Sequence, residues 1–138
     1  MSDNSSRLQL ERRRAENAFQ SAMEAKTKAY AEEYKSLVRK TPMRIKTCGL
    51  CATISFMFAK GKKENAYSLL YTQLGKWLAQ SQFLTAQSGE MVHDLILLEN
   101  AEYRAASNES LAFFAWLRRF SDGLIEKKTD ISHGDTLP

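Results

Sequence analysis

Two cysteines three positions apart, Cys48-Gly49-Leu50-Cys51, form the sharpest chemical pattern in this chain. The spacing suits a thiol oxidoreductase, in which one thiolate attacks and the other resolves, and it also suits half of a zinc site. Both chemistries need a context. A redox CxxC opens a helix after a strand, whereas here a basic helical segment precedes the cysteines and no strand is predicted. A zinc site needs two further ligands, and the only histidines are His93 and His133. Cys48 and Cys51 therefore read as structural or incidental. His93-Asp94 has the form of the pair found in metal phosphohydrolases, but such a site draws several ligands from different segments and one pair is too few. Lys60-Gly61-Lys62-Lys63 lacks the first glycine of a phosphate loop, and Glu99 with Glu102 reads as a solvated helix face. No nucleophile stands beside a base. The expectation is a non-enzyme with no catalytic residue, no metal ligand and no cofactor.

The basic residues carry more. From Lys35 to Lys63 there is no Asp or Glu, while Lys35, Arg39, Lys40, Arg44, Lys46, Lys60, Lys62 and Lys63 all fall there, giving the segment a charge of +8. The other 12 basic residues face 16 acidic ones, so the remainder of the chain is net −4. Positive charge at the two ends of one short helix could track a phosphate backbone, by contacts that are indifferent to sequence and sensitive to salt. The residues alone do not choose between RNA and DNA. A smaller cluster, Arg12-Arg13-Arg14, is flanked by Glu11 and Glu16 and reads as a solvated or subunit-facing surface.

These residues must be positioned by helices. Among 138 residues there are only two prolines and six glycines, and strong helix formers dominate, which predicts an all-α, single-domain bundle of about five to six helices. The first helix is expected to start at a capping box near Ser6 and to run to about Lys40, with Ala15, Ala18, Phe19, Ala22, Met23, Ala29, Tyr30, Tyr34, Leu37 and Val38 on one stripe. Thr41-Pro42 predicts a stop and restart, with Thr41 as the new cap. A second helix to about Ala59 should cross the core and end at Gly61 as a left-handed cap. Further helices are expected over 64–82, 90–98 and from between Asn100 and Ser107 to about Lys128. The ends, 1–5 and 129–138, read as mobile around a helical domain of 6–128. No segment has the apolar length of a membrane span or the character of a secretory signal, so a soluble, cytoplasmic protein is expected.

Two segments then carry a family likeness. Leu37-Val-Arg-Lys-Thr-Pro-Met-Arg-Ile-Lys-Thr-Cys-Gly-Leu50 and Glu102-Tyr-Arg-Ala-Ala-Ser-Asn-Glu-Ser-Leu-Ala-Phe-Phe-Ala-Trp-Leu-Arg-Arg-Phe120 resemble the small subunit of the Cmr complex, the type III-B CRISPR effector. The order of elements is similar over nearly the whole chain. The resemblance implies a non-enzymatic helical subunit in antiviral defence. It would stack in a few copies along a filament of repeated backbone subunits, beside the guide RNA, its target RNA and the large subunit. On that resemblance Pro42, Ile45, Thr47, Gly49 and Leu50 are architectural, and Lys35, Arg39, Lys40, Arg44 and Lys46 line a nucleic-acid groove. Two other classes stay open. A helix-turn-helix DNA-binding regulator would also be small, helical and basic, though it needs two short helices about a tight turn. A thiol redox protein would rest wholly on Cys48 and Cys51.

Overall fold

Three small residues set the first packing contact: Ala18, Ala22 and Ala25 recur at steps of four and three and are fully buried, so their helix can lie close against a neighbour. In the computed structural model of the chain, which describes residues 2–126 and the side chains of 5–126, that helix is α1, Ser2–Lys26. It packs along the last helix, α6, Asn100–Leu124. The expected tail at 129–138 lies outside the described residues, but α6 ends at Leu124 rather than near Lys128, and α1 begins at Ser2 rather than at the capping box expected near Ser6.

The expected continuous helix to Lys40 is broken at Thr27–Tyr30. No glycine or proline marks the break. The Thr27 hydroxyl donates to the Glu24 carbonyl at 2.8 Å, competing locally with the helical ladder. The turn also lets Tyr34 enter the core, where its hydroxyl donates to Gln73. Burial pushes the Tyr34 phenol well above its ordinary pKa, so it stays a donor.

The helix that follows, α2, Ala31–Cys48, runs straight through Pro42, which corrects the expected corner at Thr41-Pro42. Pro42 has no N–H to return to the preceding turn, but Tyr34, Val38, Thr41 and Ile45 bury one face on both sides of it, and that packing outweighs the local defect. Thr41 is not a cap; its hydroxyl donates to the Leu37 carbonyl at 2.6 Å. The chain bends instead at Gly49, whose φ of 96° lies in the region that glycine alone enters freely.

Helix α3, Leu50–Lys60, starts at once beyond Gly49. Its first turn is capped from a distance: the Cys51 N–H donates to the Tyr103 hydroxyl on α6 at 2.8 Å. Replacing Tyr103 with Phe should remove about 1 kcal/mol, seen as a fall in Tm of roughly 3–5 °C with the helical circular dichroism retained. Although α3 is apolar on most sides, its fully buried apolar side chains are Leu50, Ile54 and Met57; Phe58 is 48% exposed. It lines the core rather than crossing it.

Gly61 ends α3, but at φ −96°, so the left-handed cap expected there is not formed. Glycine is favoured there for a different reason, close backbone approach. A Cβ would lie 3.0 Å from the Met57 carbonyl oxygen and from the Ser68 backbone. Asn65 and Ser68 then form a reciprocal cap for α4, Ala66–Gln80. A loop leads to the short α5, Met91–Ile96, and where α6 begins the Glu102 carboxylate accepts from the Glu99 backbone N–H at 3.2 Å. That acidic pair is therefore a helix start, and α6 passes Ser107 without interruption.

The six helices of the described residues enclose one core in which Trp77, Tyr34, Phe113 and Phe114 are fully buried. Packed against it is a buried carboxylate. Glu109 accepts two bonds from the Arg14 guanidinium, at 2.6 and 2.7 Å, and a third from the Trp77 indole N–H at 2.8 Å. Among the described residues there is no strand, and no helix is long and apolar enough to cross a membrane.

Candidate nucleic-acid interface

Beyond its first turn, which carries Glu32 and Glu33, the face of α2 opposite its buried stripe is cationic. Arg39, Lys40, Arg44 and Lys46 are all exposed. At 100° per residue they fall within an arc of about 160°, centred away from the core. Lys60, Lys62 and Lys63 are exposed at the other end of α3 and in the turn beyond it.

One aromatic ring joins the two groups. The Arg44 guanidinium lies 4.3 Å from the ring centre of Phe56, and the Lys60 ammonium lies 5.6 Å from the same ring. Phe56 is in turn held edge-on by Tyr67 at 5.8 Å. Residues sixteen positions apart thus share one platform because the bend at Gly49 folds α3 back beside α2. A guanidinium laid on an aromatic face is restrained while its N–H edge remains free for an anion.

The remaining basic residues behave differently. Arg39 is paired with Asp122 on α6 at 3.0 Å, with both side chains over a third exposed, so the pair is weak and solvated. Lys35 turns inward. It is 8% exposed and its ammonium donates to the Ile125 carbonyl at 2.7 Å, closing the C-terminus of α6. The expectation that Lys35 lines an open groove therefore meets a structural lysine, whose charge serves a helix end. Lys35→Met should cost about 1–2 kcal/mol in chemical denaturation while leaving the cationic face intact.

Cys48 is exposed and Cys51 half-buried, on the two helices that meet at Gly49. Among the described residues no group of three or more His, Cys, Asp or Glu side chains could hold a metal. Asp94 is buried and accepts from the backbone and hydroxyl of Ser88, which assigns it to the loop before α5 rather than to a partnership with the exposed His93.

Two features escaped sequence reasoning. The first is the Arg14–Glu109 pair, which takes Arg14 out of the solvated cluster expected at Arg12-Arg13-Arg14. Glu109 raises the Arg14 guanidinium above its already high pKa, chiefly through their hydrogen bonds. Helical phase held the signal: Arg14 is one turn from Ala18, and Glu109 lies between Ala106 and Phe113 on the buried face. The second is a further pair of cations, Arg118 and Arg119, exposed on α6 and facing α2 across a cleft that also holds Lys46. Their signal was their adjacency within an otherwise apolar helix.

Over the described residues the chain is a small, all-α domain of six helices with cations exposed along one face of α2. The family model described as CRISPR-associated protein (Cas_Cmr5) matches residues 10–124, and the chain belongs to that family. It is similar to the CRISPR system Cmr subunit Cmr5 of Thermus thermophilus, with 26% identity over 113 residues, covering 82% of this chain and 93% of the relative. Its fold is similar to the crystal structure of a CRISPR-associated Cmr5 family protein, also from Thermus thermophilus. That likeness has a TM-score of 0.71 and 24% identity, over 85% of this chain and 98% of the other.

Proposed function

We propose that this chain is the non-catalytic small subunit of a type III-B CRISPR effector complex in the cytoplasm, and that its cationic face holds target RNA, or the guide–target duplex, by phosphate contacts. Family membership supports the place in a Cmr assembly, beside backbone and large subunits and further copies of the same chain. The observation that carries the RNA reading is the convergence of Arg44 and Lys60 on Phe56, which merges two separate basic stretches into one surface. Lys40, Lys46, Lys62 and Lys63 extend it, and Arg39, paired with Asp122, borders it.

Such a surface reads charge and spacing rather than bases. Its affinity should be uniform across RNA sequences and fall steeply with salt. Neutralising Lys60 and Lys62 to Ala should reduce the slope of log affinity against log salt by roughly 1.4 for single-stranded RNA, by removing two phosphate contacts. Fluorescence anisotropy with labelled oligoribonucleotides of unrelated sequence measures this. An unchanged slope places the RNA elsewhere. A helix-turn-helix regulator would instead show a specific duplex-DNA footprint.

A further inference from the structure

Between α2 and α6 runs a cleft of about 410 Å³, of the size of a small-ligand site. Its floor is apolar, made by Pro42, Leu111, Phe114 and Ala115, and its rim carries Lys46 from α2 with Arg118 and Arg119 from α6. The acidic residue on the rim, Asp122, is already paired with Arg39. The cleft is therefore a cationic opening over an apolar base. Arg119 is also restrained, since its guanidinium lies 5.2 Å from the ring centre of Trp116, which is itself stacked on Phe120.

We infer that this cleft is a second RNA subsite, in which Arg118, Arg119 and Lys46 take backbone phosphates of a single strand and Pro42, Leu111 and Ala115 receive an unstacked base. The inference rests on the RNA reading above and adds residues to it. Lys46 belongs both to the outward face of α2 and to the cleft rim, so a strand lying on that face continues onto α6 with no unpaired acidic side chain between. The alternative occupant of a cationic cleft is an acidic segment of a partner protein. The observations favour RNA because the apolar floor is only four residues, whereas a stable protein interface takes about 20–30 residues a side. In addition, the Arg119 guanidinium fork, held from behind by Trp116, matches phosphate geometry.

The test compares the full-length chain with three variants: Arg118→Ala with Arg119→Ala, Arg118→Lys with Arg119→Lys, and Lys60→Ala with Lys62→Ala. All are read by anisotropy with a single-stranded oligoribonucleotide across a salt series. The subsite predicts that the alanine pair on α6 loses about tenfold in affinity at low salt and about 1.4 in salt slope, and that the lysine pair restores the slope. If the Lys60 and Lys62 variant weakens binding and the α6 alanine pair does not, the cleft is no RNA subsite while the cationic face stands. If neither variant matters, or the wild-type chain fails to bind at low salt, both readings fall. If the α6 alanine pair keeps full RNA affinity but no longer co-purifies with the other effector subunits, the cleft is a protein-docking site and the inference is overturned.

Discussion

Glu109→Ala should destabilise the protein more than any surface change, by about 3–5 kcal/mol, or on the order of 10–20 °C in Tm. The Glu109 side chain is 3% exposed and that of Arg14 16%, so truncation strands a guanidinium beneath the surface and leaves the buried Trp77 indole N–H without its acceptor. The Glu109 carboxylate is closed off from water, and Arg14 keeps only a narrow opening to it. The conservative change separates charge from hydrogen bonding. Glu109→Gln keeps an oxygen for Trp77 and for one Arg14 donor, and should cost roughly half as much. Arg14→Ala leaves the carboxylate buried with only the indole as partner and should approach the cost of Glu109→Ala. The double variant Arg14→Met with Glu109→Leu should recover part of the loss, because a buried ion pair is worth far less than the penalty of breaking it from one side. Thermal denaturation of the four proteins checks the series; a full additive loss in the double variant would show that the two residues act independently.

Reversing Arg44, Lys60, Lys62 and Lys63 to Glu should lower RNA affinity about 100-fold or more at moderate salt, with little change in helicity. All four side chains are exposed, so the fold bears only the loss of the contacts on Phe56. If the face holds phosphates as proposed, the effect should be the same for RNAs of unrelated sequence. Electrophoretic mobility shift with two such RNAs checks it. A loss confined to one of them would mean that bases are read directly.

These two predictions rest on features that differed in how readily they could be read from the chain. Positive charge was legible, because an acid-free stretch from Lys35 to Lys63 needs only counting. Its gathering at Phe56 was not, for it depends on where α2 turns into α3. Pro42 offers a local reason to break a helix and Gly49 another, and the choice between them is made by the burial of Tyr34, Val38, Thr41 and Ile45 on both sides of the proline. The break at Thr27–Tyr30 has the same origin: no local breaker marks it, and Ala25 and Tyr34 are both buried across it. Lys35 was counted with its neighbours, since its inward turn depends on α6 ending within reach at Ile125, ninety residues away. By contrast the helix near 64–82 and the last helix were legible, because their apolar periodicity agrees with the packing they make.

The account turns on the RNA lying along this face when the subunit is in its assembly. Ultraviolet crosslinking of the complex purified from its native cell with bound RNA, followed by mass spectrometry of the crosslinked peptides, measures that placement directly. The account predicts RNA-linked peptides from this chain that contain the segments around Arg39 to Lys46 and Lys60 to Lys63. Crosslinks only at surfaces away from α2 and the end of α3, or none from this chain while other subunits crosslink efficiently, would contradict it.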